Sequence, residues 1–389
     1  MMGAPKPLRF HWSVPASAGG KGVRGAAPRT ETSALPDVGM HKEFARSAEE
    51  SGMDSVLMPI GFFRSDPVTM ATVMGAETST VKYMLATRSG IVSPTYFVQQ
   101  VNTLSVATNG RVAINSVAGH SPDEQRFFGD LLPHDERYRR TEEFWAVCHA
   151  LWDAKEPVNF DGTYYRIRDA QLGVPFRSDQ RTRPEIYLGG NSGEAQRVAI
   201  AQADCHLRFA DAPDRLAPTV AETLRGGIEA GLVLSVIVRP TRQEAVQAAR
   251  DLIVAAGERA RDVQQQFRAK TDSVGFATAH AMVENESAET DGWLTPHLWV
   301  GAVPYLGPTA MSLVGSPEDV ADGLFEFRRV GISQFIFQGR PDLETMIAFG
   351  REVLPIVRAR EAKETGKAPP AGKAPQAMEA GKTREETQA

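Results

Sequence analysis

The feature that most constrains this chain is a rhythm. Eight short apolar runs, at 8–14, 54–59, 82–88, 111–117, from 185, at 204–209, 232–238 and 333–337, are each followed by sequence of helical spacing. Eight strands alternating with helices fit a closed (β/α)8 TIM barrel of the α/β class better than an open sheet, and put the active site at the strands' C-terminal ends. The first helix, over 37–52, carries Phe44, Ala45 and Ala48 on one face. Ser93 reads as a cap with Pro94 in the first turn of another. Two insertions interrupt the rhythm. The stretch 157–167 reads as a β-hairpin turning at Asp161-Gly162. The stretch 258–308, with Trp293, Trp299 and Tyr305, reads as irregular, either a lid over the barrel mouth or a surface excursion packed by its own aromatics. The Gly/Ala/Pro-rich segment 15–36 is a long loop of the kind that is usually functional. From Ala359 the sequence turns Lys/Glu/Ala/Pro/Gly-rich, which predicts one domain over 1–360 and a disordered tail over 361–389.

Charge and cysteine content exclude several classes. A net charge of −5 offers no general attraction for nucleic acid or an anionic membrane. Cys148 and Cys205 are the only cysteines, too few and too far apart for a disulfide framework or a metal cluster, so they read as buried thiols in a reducing compartment and no metal site is expected. No apolar run is long enough to span a bilayer, and the N-terminus lacks the apolar core of a signal peptide. The expected location is the cytoplasm.

One turn points to a ligand. The run Glu185-Ile-Tyr-Leu breaks at Gly189-Gly190 and passes through Asn191-Ser192 into a helix-forming segment. Glycines let backbone approach a ligand closely, and Asn191 and Ser192 stand where a cap aims free N–H groups and hydroxyls at a phosphate. An ordinary capped β–α turn has the same sequence, so the two readings stand side by side.

Several stretches in order along the chain resemble one family. They include Val56-Leu-Met-Pro-Ile-Gly61, Ser93-Pro-Thr95, Asn109-Gly-Arg111, Asn115-Ser-Val-Ala-Gly119, His134-Asp-Glu-Arg-Tyr138, Leu188-Gly-Gly-Asn-Ser192, Thr271-Asp-Ser-Val-Gly275 and Leu313-Val-Gly315. The chain resembles the luciferase-like flavin-dependent monooxygenases, and within them the two-component alkanesulfonate monooxygenases. The resemblance implies a TIM barrel that takes FMN as FMNH2 from a separate NAD(P)H-dependent flavin reductase and uses O2 to oxidise a small organic substrate, working as a homodimer or homotetramer. It also implies that Gly189, Gly190, Asn191, Ser192 and Tyr138 hold the phosphate while Ser89 and Asn115 face the flavin ring or ribityl chain. Arg137 and Arg140, flanked by acids on the same helix, read instead as surface ion pairs. His134 reads as a cap or turn residue.

The substrate residues depart from the pattern. Arg64 stands where the sulfonate enzymes carry a cysteine, Val233 and Ser235 where they carry an arginine and a histidine, and Leu306 in place of a further arginine. Arg340 replaces a tyrosine, and Phe209, preceded by Arg208, replaces a tryptophan. A standard alkanesulfonate is therefore not the expected substrate, since each lost charge-assisted contact is worth roughly 1.5–3 kcal/mol. Arg64, Arg208 and Arg340 read as a new anion clamp or as rim arginines, with Arg64 and Arg340 as catalytic candidates and Arg208, Phe209 and Ser235 at the substrate. His11 reads as a proton donor near the flavin or as a satisfied core histidine. Two other functions remain open: a flavin-binding paralogue without turnover, and a deazaflavin-dependent oxidoreductase.

Overall fold

The computed structural model describes residues 6–15, 36–338 and 343–366, without the side chains of 285–289. Twelve strands alternate with thirteen helices over these residues. The strands are β1 (Arg9–Ser13), β2 (Ser55–Met58), β3 (Lys82–Thr87), β4 (Val112–Val117), β5 (Val158–Asp161), β6 (Arg166–Ala170), β7 (Glu185–Gly189), β8 (Cys205–Phe209), β9 (Glu229–Val238), β10 (Leu298–Trp299), β11 (Ser312–Gly315) and β12 (Ile332–Phe337). The first seven helices are α1 (Val38–Glu50), α2 (Pro67–Gly75), α3 (Pro94–Ala107), α4 (Pro122–Phe127), α5 (His134–Asp153), α6 (Gly193–Gln202) and α7 (Pro213–Arg225). After them come α8 (Arg242–Arg268), α9 (Val274–Thr290), α10 (Val303–Leu306), α11 (Pro317–Arg329), α12 (Leu343–Ala348) and α13 (Leu354–Thr365).

Eight parallel strands close a barrel in the order β1-β2-β3-β4-β7-β8-β9-β12, with β12 returning to β1. This is the (β/α)8 barrel. The helices begin where local chemistry tells them to: the side chains of Asp37, Asp66, Ser93 and Ser192 each accept a backbone N–H of the first turn they cap. Strand alternation sends Phe10 and Trp12 outward against Phe337 and Phe349. Leu57, Met84, Ala113, Tyr187, Leu207 and Ile336 fill the interior. β9 is shared. Its Ala230–Leu234 half pairs with β12 inside the barrel, while Ser235–Val238 pairs with β11, so β11 and β10 form a side sheet that the eight-unit reading lacked.

The N-terminal end of the barrel is polar. Arg9 donates to Glu185 at 2.7 Å and to Glu229 at 3.1 Å. Above it runs a relay: Ser55 donates to His11 Nδ1, His11 Nε2 donates to Gln334 Oε1, and Gln334 Nε2 donates to Glu229. A cavity of about 40 Å3, lined in part by Arg9, His11, Lys82 and Glu185, lies here.

The β5–β6 hairpin forms as the Asp-Gly turn predicts, and Glu143 of α5 fastens it by accepting the N–H groups of Thr163, Tyr164 and Tyr165. Two expectations need correction. Most of 258–308 is helical rather than irregular: α8 runs on through a kink at Gly257, whose φ of 69° suits glycine, and α9 follows. The ordered chain also continues past 360, because charged residues there have partners. Glu361 is buried and accepts the Leu8 N–H and the guanidiniums of Arg328 and Arg358, and Arg360 pairs with Asp322. Of the long loop expected over 15–36, residues 16–35 lie outside the described residues, as do 367–389.

Candidate active site

At the end of β7 the chain turns through Gly189-Gly190-Asn191-Ser192 into α6. A Cβ on Gly190 would lie 2.5 Å from both the Tyr138 hydroxyl and Ala195 Cβ, so only glycine fits. Three partners hold the turn. The Gly190 N–H donates to Leu207 O, His206 Nε2 donates to Gly190 O at 2.8 Å, and Asn191 Oδ1 accepts the Phe209 N–H. Ser192 caps α6, and its side chain also shares a hydrogen bond with Tyr138. Burial raises the Tyr138 pKa to about 12 against the opposing Ser192 contact, so the phenol stays a donor. Free N–H groups of the first turn of α6 and the Tyr138 hydroxyl thus meet at one small-residue turn, which is the chemistry of an anion cradle.

Asn115 projects from β4 beside this turn. Its Oδ1, buried and without a hydrogen-bond partner, lies 3.9 Å from where a Gly189 Cβ would stand. A buried acceptor left unpaired is costly and marks a place where a ligand donor fits. The donors of this turn and the unpaired acceptor of Asn115 lie side by side, a pairing that fits a ligand with an anionic end and a polar group that can donate a hydrogen bond.

The 271–276 stretch covers the same side of the mouth. Thr271 donates to His120 O, Asp272 accepts from Arg137 at 2.7 Å, and a Cβ on Gly275 would come within 3.1 Å of Asn191 Cγ. Phe276 stacks on His120 and meets Phe209 edge-on, with ring centroids 5.3 and 5.8 Å apart. His206, Asp272 and Phe276 were not legible as site residues from the sequence, since each acts through a partner distant in the chain.

Other expected residues sit elsewhere. Ser89 turns its hydroxyl to Thr141 and Arg140 on α5 while its carbonyl accepts from Tyr165, so its polar groups are engaged by protein partners. His11 has both ring nitrogens engaged in the relay below the mouth, and burial lowers its pKa, so the geometry is that of a core histidine. Arg137 and Arg140 are not surface ion pairs. Arg137 is 2% exposed and donates to Ala118 O, Leu132 O and Asp272, while Arg140 pairs with buried Asp130. His134 begins α5 beside Asp135 and packs against Tyr138.

Ser235 stands at the mouth and donates to Gln338 O. Phe209 follows the inward parity of Cys205 and Leu207. Arg208 takes the opposite, outward parity, that of His206, with Asp211 as its nearby charge, so it does not join Arg64. Arg340 lies outside the described residues. Arg64 meets a residue the sequence reading passed over: Arg88, just past β3, pairs with Glu124 at 2.6 Å, and Arg64 lies beside the same carboxylate. Arg88 shares the inward parity of Lys82, Met84 and Ala86, and a charge at that position was the available signal.

Known proteins share this architecture. A riboflavin lyase solved with modified FMN and riboflavin superposes with a TM-score of 0.69 at 18% identity, over 94% of this chain and 93% of that one. A long-chain alkane monooxygenase gives 0.67 at 18%, over 95% and 96%. A coenzyme F420-dependent tetrahydromethanopterin reductase from Methanopyrus kandleri gives 0.63 at 16%, over 90% and 100%. At such identities these likenesses speak for the fold. The family described as luciferase-like monooxygenase matches residues 8–334. With most of its length matched, the chain belongs to the luciferase-like monooxygenase family of flavin-dependent enzymes.

Proposed function

We propose that this protein is an FMNH2-dependent, two-component monooxygenase that oxidises a small or medium organic substrate with O2. The observation that carries the reading is the turn at Gly190, where α6 N–H groups and the protonated Tyr138 hydroxyl converge in a space with room for no side chain. Reduced FMN, when bound, supplies the two electrons with which one oxygen atom of O2 enters the substrate and the other leaves as water. Ser192 and the α6 N–H groups hold the phosphate, and Tyr138 donates to it. Asn115 offers its unpaired oxygen to a ring N–H or a ribityl hydroxyl. Leu57, Met84, Leu207 and Ile336 line the barrel with apolar surface that keeps water from the reacting end. Asp272 and Thr271 fasten the covering segment over the phosphate side.

A separate NAD(P)H-dependent flavin reductase is the proposed source of FMNH2, with a homodimer or homotetramer in the cytoplasm as the working form. Organosulfur compounds stay among the candidate substrates, while standard alkanesulfonates do not. The test is a titration of FMN, FMNH2 and a deazaflavin, followed by stopped-flow return of oxidised-FMN absorbance on mixing with O2. Tight FMNH2 binding and a return slower than that of free FMNH2 support the reading. Preference for the deazaflavin moves the protein to the hydride-transfer branch, and FMNH2 bound yet reoxidised at the free rate makes it a non-oxygenating paralogue. Asn191→Ala with Ser192→Ala is expected to weaken FMN at least about tenfold, the scale of one or two lost charge-assisted hydrogen bonds.

A further inference from the structure

Two guanidinium groups stand at the barrel mouth over one carboxylate. Arg88 is 3% exposed, and its Nη2 donates to Glu124 Oε2. Its Nε and Nη1 are shielded and have no hydrogen-bond partner among the described residues. The second Glu124 oxygen accepts the Phe62 N–H, and a Cβ on Gly61 would come 3.1 Å from that oxygen and 3.2 Å from Arg64 Cδ. Glu124 is thus gripped between the loop after β2 and Arg88, with Arg64 alongside. The Arg64 backbone N–H donates to Gly61 O, but its guanidinium makes no hydrogen bond or ion pair with a described residue, although burial lowers its pKa and Glu124 is the only charge among the described residues that opposes this. Neighbouring acids are taken: Asp123 faces Arg126 and Lys270, and Asp130 holds Arg140.

Two cations against one anion leave an uncompensated positive charge in a half-buried place. The location relates it to the site already described. Ala86 is in register with Asn115, and Arg88 lies two residues further on with the same parity, roughly 7 Å higher along the strand. Around it are apolar rings. Phe62 lies 5.3 Å from Phe63 and from Phe127, and these three are 48%, 57% and 43% exposed. The Arg88 guanidinium sits 5.7 Å over the Phe128 ring. Exposed rings beside a guanidinium pair suit a molecule with an apolar body and an anionic end.

We propose that Arg64 and Arg88 bind the anionic group of the substrate, a carboxylate or phosphate ester, while its apolar body lies against Phe62, Phe63 and Phe127. The proposal rests on the reading of this mouth as the active site. Glu124 is the internal counter-ion that holds Arg88 in place until the substrate anion arrives, and it competes with that anion for the same positive charge.

Calorimetric titration of FMN-saturated protein with 2-naphthoate and with 2-naphthalenemethanol, one body with and without charge, tests this. Wild type is expected to bind the acid at least about tenfold tighter than the alcohol. Arg64→Met and Arg88→Met each reduce that preference several-fold and leave the alcohol unchanged. Because Arg88 is buried and its variant is the one at risk of misfolding, Arg64→Met, on a loop and without an ion pair, carries the test alone if needed. Glu124→Gln keeps an acceptor for Phe62 and is expected to tighten the acid several-fold, whereas a merely structural Glu124 predicts weaker binding. Equal affinities in wild type, a preference that survives Arg64→Met, or a looser Glu124→Gln would each overturn the proposal. Titrating FMN by itself separates the two readings: absence of FMN binding strikes the flavin assignment, and the naphthoate series, run without FMN, still decides the anion pair.

Discussion

At Gly190 a hydrogen atom is all that fits, because Tyr138 and Ala195 occupy the space a methyl group needs. Gly190→Ala is therefore expected to push Tyr138 off the turn and weaken FMN binding by tenfold or more, read by quenching of flavin fluorescence, with the thermal midpoint moving much less. The carbonyl of the same residue ties the turn to His206. Burial, partly offset by the bond to Gly190 O, lowers the His206 pKa from 6.5 to about 4. Below pH 6.5 the unfolded chain takes up a proton that the folded chain refuses until about pH 4. Stability is therefore full above pH 6.5 and falls through that window, by roughly 3 kcal/mol in all. Burial lowers the His11 and His149 pKa values too, so they add to the same slope. His206→Gln, which keeps a donor for Gly190, is expected to flatten the fall in unfolding midpoint between neutral and mildly acid pH. An unchanged slope would remove His206 from this account.

At the level of elements, the α8–α9 segment packs on the fold through buried side chains such as Phe276, Ala279 and Met282, and two polar contacts fasten its middle to the barrel mouth. Arg137 reaches it from α5 through Asp272, and Thr271 reaches His120 O. Asp272→Ala leaves a buried guanidinium short of its counter-ion and is expected to cost about 2–3 kcal/mol, less than a fully buried pair because Asp272 is partly exposed. Hydrogen exchange over 271–284 should rise more than elsewhere, and uniform protection would mean that the pair does not fasten the segment. The kink in α8 has its own requirement. Gly257 combines φ 69° with ψ 169°, a region open to glycine alone, so Gly257→Ala is expected to lower stability by about 1–3 kcal/mol in chemical denaturation.

Across the whole molecule the two ends of the barrel divide the work, the proposed chemistry at the C-terminal ends of the strands and ionic fastening at the N-terminal ends. Burial by itself would raise the Glu229 pKa. Hydrogen bonds from Lys6, Ser333 and Gln334 with the Arg9 charge outweigh it and bring the pKa from 4.5 down to about 2. The stabilisation from Glu229 is thus present above about pH 4.5 and is lost as pH falls towards 2. Glu229→Gln is expected to destabilise the barrel by the order of 3 kcal/mol at neutral pH and to make acid unfolding shallower, with FMN affinity unchanged. A loss of FMN affinity in that variant would show that the two ends are coupled.

Local sequence determined the eight strand–helix units, the Asp161-Gly162 hairpin, the helix caps and the turn at Gly190, because periodicity, capping and turn chemistry act over a few residues. Tertiary structure alone decided which charges meet. Arg137 finds Asp272 at a separation of 135 residues, Arg88 finds Glu124 at 36, and Arg208 turns outward while Arg64 stays at the mouth. Such pairings depend on strand parity at the barrel rim and on which loops the closed barrel brings together, and neither leaves a local pattern. The helical course of 361–365 follows the same rule, since this polar stretch gains order from distant partners such as Arg328 for Glu361, whereas α9 is ordered by an apolar face, Phe276, Ala279, Met282 and Val283, that finds its burial only in the closed fold.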